Sequence, residues 1–384
     1  MRIAHVVNLV DGEASYGGPL RVAVNQVDEL NRRGHQAVLV AGADSAARRD
    51  PARVLGATSR RLFRSLDLAG GRSFAYHWTP GLHAWLLTHG RSFDVCHVHL
   101  ARDLTTAPAA QLLRLLRVPY VVQTHGMVVP SPRRSAWAFD RLLVRGAMRR
   151  AATGFVLTGE ELDGVRALGF GDLPVEILPN GVPTADLPAE GADGPPEVLY
   201  LARLHECKRP VRFVEAAQLL LARGVDADFT LLGPDEGELP AVTAAIARRP
   251  ELTRVSYGGV APMAGSLARI ARASVFVLPS ARDAFPMVVV EAMSVGVPVV
   301  VTEACGLAPM IAEAGAGTIV PADDPAALAA AVEGLLADPA LARKSGENGR
   351  ALVDRSLSIE AVGRRLEESY LAAIPAGRGR VPAP

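Results

Sequence analysis

Cysteine is scarce in this chain: there are three in 384 residues, Cys96, Cys207 and Cys305, far apart and without C-x-x-C spacing. That excludes a disulfide framework and a structural zinc site, and it points to a reducing compartment. Long apolar runs are missing as well. No stretch reaches the roughly 18 apolar residues needed to cross a bilayer. Neither sign of charge dominates, the formal net charge being +1. Aromatic residues make up 5% and do not interleave with basic ones as in single-strand binders, so no nucleic-acid partner is expected. The start, Met1-Arg2-Ile3-Ala4-His5-Val6-Val7, enters a strand-like run with no cleavable signal pattern, and the expected location is cytoplasmic.

What the chain does contain is an ordinary globular composition, 49% hydrophobic and 21% charged, over a length that exceeds one core and predicts two domains. The charge is unevenly spread. Residues 1–181 hold 22 basic and 15 acidic side chains, which leaves 19 basic and 25 acidic for the rest. Short β-branched runs alternate with helical patterns: Ile3 to Val10, Ala37 to Ala41, Asp94 to His99, Tyr120 to Thr124, Gly154 to Thr158 and Val175 to Leu178 read as strands. Apolar runs without alternation predict strands buried on both faces, hence a parallel sheet between helices. At Pro179-Asn180-Gly181-Val182-Pro183 turn signals interrupt the pattern. A second series follows from Glu197 to Val320, then helical sequence over 325–350, an amphipathic helix over 358–373 and a tail expected to be disordered. The expected layout is an α/β fold with a Rossmann-like domain at 1–181, a linker at 182–196, a second Rossmann-like domain at 197–356 and a returning C-terminal helix at 357–374. In such folds ligands bind at the carboxyl ends of the strands, here in a cleft between the two domains.

The residues with chemical potential fall at those strand ends. In the first domain they are Gly17-Gly18, Val98-His99 and Thr124-His125-Gly126; in the second, Arg203 with Lys208, Gly233-Pro234, Gly258-Gly259-Val260, and Asp283 with Glu291. The stretch Pro279 to Met293 is the centre of this set. An apolar strand runs into a loop holding Asp283, and a helix starts near Pro286, where proline suits the first helical position. Free amides and the positive end of a helix dipole favour an anion such as phosphate there. The unremarkable alternative for the stretch is a βα turn with a capping Asp and an exposed Glu. Glycines 17 and 18 would let the backbone approach a ligand, and His125 is expected to expose its ring at a strand end. His97 and His99 are expected on alternate faces of their strand.

Together these motifs resemble the retaining, nucleotide-sugar-dependent glycosyltransferases of family 4, which have the GT-B fold. The carrying residues are Asp283 and Glu291 with seven residues between them, followed by Ala-Met-Ser-Val-Gly-Val-Pro-Val-Val; Leu201-Ala202-Arg203 through Lys208-Arg209-Pro210; the early Gly-Gly-Pro; Thr124-His125-Gly126; and Pro179-Asn180-Gly181-Val182. The resemblance implies that Glu291 binds the ribose hydroxyls, that Asp283 holds a donor-sugar hydroxyl, and that Arg203 and Lys208 neutralise the diphosphate. The N–H groups of Met287 and Val288 would reach the same diphosphate. Gly233 and Val260 would flank the base, Gly17 and Gly18 would close over phosphate and acceptor, and His125 would orient the anomeric centre, with His99 toward the acceptor. Asp283 departs from the family pattern, which usually has Glu, and is one methylene shorter. No metal and no resident cofactor are implied, the nucleotide sugar being a co-substrate.

The implied reaction is transfer of a hexose from a UDP- or GDP-linked donor to a hydroxyl acceptor with retained configuration, in polysaccharide, glycolipid or glycosylated-metabolite synthesis. No nucleophilic carboxylate stands out in the first domain, so front-face displacement is expected rather than a covalent intermediate. Two other readings are a sugar-nucleotide epimerase and a catalytically weak sugar-nucleotide-binding partner subunit. Separately, residues 131–150 mix six arginines with Trp137, Phe139 and aliphatic residues at near-helical spacing. Such a helix either lies on an anionic membrane at the inner face or packs its apolar stripe on the sheet with its arginines solvated.

Overall fold

The structure, a computed structural model, describes residues 1–12, 17–70, 73–183, 194–249, 253–260 and 265–375. Most of the linker and the tail after residue 375 lie outside the described residues. The chain divides into two compact units, Met1–Gly181 with the chain from Ile359 onward, and Val182–Ser358.

The first unit is built on seven parallel strands: β1 (Arg2–Val10), β2 (Gln36–Ala43), β3 (Arg60–Arg64), β4 (Val95–His99), β5 (Tyr120–Gln123), β6 (Gly154–Val156) and β7 (Val175–Ile177). Their order across the sheet is β3-β2-β1-β4-β5-β6-β7. Every residue of β4 and β5 is buried, as expected for strands covered on both faces by crossover helices. Helices α1 (Gly17–Arg32) and α2 (Thr106–Leu116) follow β1 and β4, and α3 (Gly159–Ala167) follows β6. The second unit repeats the plan with six parallel strands: β8 (Glu197–Leu201), β9 (Asp228–Leu232), β10 (Val255–Tyr257), β11 (Val275–Leu278), β12 (Val299–Thr302) and β13 (Gly317–Val320). Their order is β10-β9-β8-β11-β12-β13. In each sheet the chain direction across the strands reverses beside the first strand, and that reversal opens the crevice where doubly wound folds take ligands. In the second unit the crevice lies between the ends of β8 and β11. Helix α4 (Met287–Ser294) follows β11, and α5 (Ile359–Ala373) returns to the first unit. There Val362, Leu366 and Tyr370 join the core that β1 and α1 form with Leu20, Val27 and Leu30.

Several local expectations change. Strand β3 was not anticipated, because Arg-Arg-Leu-Phe-Arg mixes charge into an edge strand that keeps only partial cover. The helical span 325–350 is two helices, Pro325–Ala337 and Pro339–Leu352, bent by 102°. The break falls at Asp338, whose carboxylate accepts from the N–H groups of Ala340 and Leu341 and so caps the second helix. The basic segment is interrupted as well: helix Arg134–Phe139 widens into one π-helical turn, Asp140–Val144, before Arg145–Met148. No single helix among the described residues is long and apolar enough to cross a membrane.

Candidate active site

In the second unit the chain leaves β8 through a short 3-10 turn, Glu206–Lys208, and leaves β11 through residues 279–286. The two loops are fastened together by the Ala281 N–H, which donates to the Cys207 carbonyl at 2.8 Å. The second loop is held from behind by the 302–306 turn: the Gly306 N–H donates to the Asp283 carbonyl at 2.8 Å, and Thr302 Oγ1 donates to the Ser280 carbonyl. On this frame Lys208 Nζ donates to Asp283 Oδ2, the two side chains being only 15% and 11% exposed. Lys208 and Lys344 are the only lysines among 41 basic residues, so at 208 a compact ammonium stands where this chain elsewhere uses guanidinium. Cys305, bridged backbone to backbone with Asp283, is buried, and burial pushes its thiol up to about 12. It is a packing residue at physiological pH.

Helix α4 begins beyond Asp283. Pro286 is its N-cap, with extended backbone, rather than its first helical residue. Its carbonyl takes the first turn's bond from the Val289 N–H at 3.0 Å. The N–H groups of Met287 and Val288 open the helix, where no intrahelical acceptor exists. Asp283 does not cap the helix; its carboxylate goes to Lys208. Glu291 is 7% exposed, so a carboxylate sits almost wholly inside the fold on the second turn. This is not the exposed Glu of a plain βα turn.

The other members of this half are differently placed. Arg203 Nη1 donates to both carboxylate oxygens of Glu236, at 2.9 and 2.8 Å, with 53% of the Arg203 side chain exposed. Gly233 has φ of +147°, and a Cβ there would lie 1.8 Å from the Ala202 carbonyl oxygen, so only glycine fits. Its N–H donates to the Gly259 carbonyl at 2.9 Å and its carbonyl accepts from the Tyr257 hydroxyl at 2.8 Å. The glycine therefore joins β9 to the strand on its far side before any ligand arrives. Val260 is exposed at the end of that strand.

In the first unit, Gly17 and Gly18 form the first turn of α1 rather than a free loop, and residues 13–16 before them lie outside the described residues. His125 is held in an uncommon way. Its φ is +50° and that of Gly126 is +73°, two successive left-handed residues just after β5. The loop is clamped by Glu161 of α3, buried, which accepts from the Thr124 hydroxyl and the Gly126 N–H with Oε1 and from the Leu157 N–H with Oε2. Backbone strain over-determined in this way concentrates at functional sites. The imidazole is half-buried rather than open at the strand end. Its Nε2 bonds His99 Nδ1 at 2.8 Å, the two rings stack at 9°, and burial lowers its pKa to about 3. His97 and His99 do not alternate: two residues apart, they share a face and stack at 4.6 Å, as the strand period of two requires. Glu161 and His5 were not singled out in the sequence. Thr158-Gly-Glu-Glu161 has the spacing of a capping box, and Thr158 does accept from the Glu161 N–H, yet the Glu161 carboxylate serves the neighbouring loop.

Comparison with known proteins fits this geometry. Two doubly wound units with charged strand-end loops make a nucleotide-binding architecture that several enzyme classes share. The family described as Glycosyl transferase 4-like domain matches residues 17–181, and the family described as Glycosyl transferases group 1 matches 185–352. Between them they take in nearly all of the chain, which belongs to the GT-B glycosyltransferases of the family 4 type. Among similar sequences, the alpha-D-kanosaminyltransferase of Streptomyces kanamyceticus is 28% identical, over 79% of this chain and 85% of that enzyme. The glycogen synthase of Mycobacterium tuberculosis is 28% identical over 73% and 69%. Among solved structures, HepE of Anabaena in complex with UDP superimposes with a TM-score of 0.74 over 97% of this chain and 100% of that one, at 18% identity. That match speaks for the fold.

Proposed function

We propose that the chain transfers a hexose from a UDP- or GDP-linked donor to a hydroxyl acceptor, with retention and without a divalent metal. The observation that carries this reading is the Lys208–Asp283 pair, largely buried in the crevice beside the open N-terminus of α4 with Glu291 one turn further on. A nucleoside diphosphate sugar needs four things that these residues supply. Glu291 accepts the ribose hydroxyls, charge-assisted bonds being the strong ones. The Met287 and Val288 N–H groups and the helix dipole meet the diphosphate. Lys208 turns from Asp283 to a phosphate oxygen, which frees the Asp283 carboxylate for a sugar hydroxyl. Arg203 exchanges Glu236 for the same diphosphate at little cost, since an exposed ion pair is worth about 0–1 kcal/mol. The bond from the anomeric carbon to the phosphate oxygen breaks while the acceptor oxygen bonds the same face, and the acceptor proton passes to a phosphate oxygen. His125 orients the anomeric centre in this scheme, and Gly17 and Gly18 meet phosphate and acceptor.

Of the similar enzymes, a kanosaminyltransferase is named for the group it moves and a glycogen synthase for its polysaccharide product; a polysaccharide and a small metabolite are two acceptor classes for this chain. A glycolipid is the third acceptor class for this chain. Proton NMR of the product is the test: the anomeric coupling of the donor should be kept, and an inverted anomer overturns the mechanism. A catalytically weak binding subunit would instead bind the nucleotide and release no free sugar when donor is incubated alone.

We place the enzyme in the cytoplasm, its three cysteines being free, and at the inner face of the membrane through residues 133–150. Val144, Ala147 and Met148 pack inward, but Trp137 and Leu142 stay 66% and 74% exposed. Beside them Arg114, Arg141, Arg145, Arg149 and Arg150 line a surface groove of about 670 Å³, and among the described residues none of the five forms an ion pair with a carboxylate. Exposed Trp and Leu flanked by five arginines, against the single carboxylate of Asp172 in the groove lining, suit an anionic lipid surface, at about 1 kcal/mol per basic residue. Co-sedimentation with phosphatidylglycerol vesicles should exceed that with phosphatidylcholine vesicles and fall steeply as salt rises. Salt-insensitive binding would remove the electrostatic reading.

A further inference from the structure

Three imidazoles and one phenol occupy the core between the first sheet and its returning helix, and a fourth imidazole, His125, joins them from the loop after β5. His5 of β1 lies opposite His97 of β4 in the ladder, and His99 follows two residues later on the same face. Tyr370 of α5 is fully buried against them. The hydrogen bonds run unbroken: His125 Nε2 with His99 Nδ1 at 2.8 Å, His99 Nε2 with His5 Nδ1 at 3.2 Å, His5 Nε2 with the Tyr370 hydroxyl at 3.3 Å, and that hydroxyl with His97 Nδ1 at 2.6 Å. Burial lowers the pKa of all four histidines, and among the described residues no carboxylate is bonded to any of them. The rings are therefore neutral at physiological pH.

A neutral imidazole has one N–H and one lone pair. A ring that donates through Nε2 must accept at Nδ1, so each bond in the series dictates the next. The Tyr370 hydroxyl, donor on one side and acceptor on the other, passes the same polarity on. The whole series thus has two arrangements. In one, His125 presents an N–H at Nδ1, away from His99; in the other it presents a lone pair there. At the far end His97 Nε2 is buried with no hydrogen-bond partner among the described residues, and an orphaned buried N–H is the costlier state, so the arrangement with the His97 proton on Nδ1 is favoured. The same loop holds His125 in the left-handed backbone that Glu161 clamps.

We propose that Tyr370 and His97 are positioning residues that act through His5 and His99 to fix which tautomer His125 offers to the donor sugar. This rests on His125 contacting that sugar, as proposed above. The C-terminal helix, 245 positions away in sequence at Tyr370, would then set the hydrogen-bond sense of a residue at the end of β5.

The experiment is nitrogen-15 NMR of the imidazoles in wild type and in Tyr370→Phe, which keeps the ring and removes the hydroxyl linking His5 to His97. In wild type at pH 7.5, His125 should show one nitrogen of N–H type and one of lone-pair type. In Tyr370→Phe the two shifts should move toward each other as the tautomers mix. At the same time kcat should fall by about tenfold, the worth of one hydrogen bond, with KM for donor unchanged. Val362→Ala, a cavity about two turns before Tyr370 in the same helix and core, should lower the melting temperature but leave the His125 shifts and kcat as they were. If Tyr370→Phe does not fold, His97→Gln is the second variant, since a side-chain amide can donate or accept and no longer fixes the sense. Unchanged His125 shifts in the folded variant overturn the proposal, as does a kcat loss that Val362→Ala reproduces. If the tautomer mixes but His125→Ala keeps full transfer, the series stands and the assignment of His125 to the sugar fails.

Discussion

Lys208→Met should lower the rate of transfer by about 10²- to 10³-fold, the usual effect of deleting one fixed donor aimed at developing charge. The expectation follows from what the departing nucleoside diphosphate needs, and the geometry supplies a way to separate that role from a structural one. Lys208 and Asp283 are both mostly buried, so removing the ammonium strands a carboxylate in low dielectric. Breaking such a pair by deleting one partner costs about 3–5 kcal/mol, whereas replacing both partners is often close to neutral. Lys208→Met should therefore also lower thermal stability, and the double variant Lys208→Met with Asp283→Asn should recover most of that loss. Transfer should not recover with it, because the carboxamide restores packing and hydrogen bonding but neither the Lys208 cation at the diphosphate nor the Asp283 carboxylate at the sugar. The measurements are kcat by product formation and the unfolding midpoint of the three variants. Recovery of both together in the double variant would show Lys208 to be only the counter-ion of Asp283.

The sheets were legible from the sequence because both are parallel and covered on two faces. Strands such as Val275–Leu278 and Val299–Thr302 need continuous apolar side chains, a pattern with few other readings. Edge strand β3 carries three arginines and gave no such signal. The nucleotide half of the site was legible for a related reason: Lys208 and Asp283 stand on loops directly after strands, and a doubly wound order brings the ends of β8 and β11 together whatever the side chains are. What sequence spacing did not convey is the pairing. Neither the Lys208–Asp283 contact nor the diversion of Arg203 to Glu236 is written in local pattern, since each joins residues more than 30 positions apart. The histidine half was the least legible. His5, His97 and His99 lie within hydrophobic strands where a polar residue has no periodic signature, and Tyr370 reaches them from the last helix. Period two places His97 and His99 on one face, but only the β1–β4 register and the return of α5 turn three separate histidines into one bonded series.

The same series makes the first unit sensitive to acid. His5 is completely buried and burial holds its pKa near 3, against the ordinary 6.5 that it regains on unfolding. Between those two values the unfolded chain takes up a proton that the folded chain refuses, so stability is full above pH 6.5 and is lost as pH falls toward 3. For His5 alone the slope is about 1.4 kcal/mol per pH unit, or about 2 kcal/mol by pH 5. His97 and His99 are lowered for the same reason and add in the same direction. Three carboxyls oppose them: Asp103, at the start of α2, is pushed up to about 6, and burial raises Glu29 and Asp28 of α1, so each folded form gains protons, hence stability, as pH drops. Against these three stand six imidazoles of the same unit lowered by burial, His5, His35, His83, His97, His99 and His125, so the balance remains with the histidines. All three tryptophans, Trp78, Trp85 and Trp137, lie in the first unit, and their fluorescence follows its unfolding alone. The urea midpoint by tryptophan emission should fall markedly between pH 7.5 and pH 5, and His5→Gln, which cannot titrate, should flatten that fall by the share of one residue. A midpoint that stays level over this range would mean that the imidazoles take up protons in the folded state, and that the bonded series does not hold its neutral form.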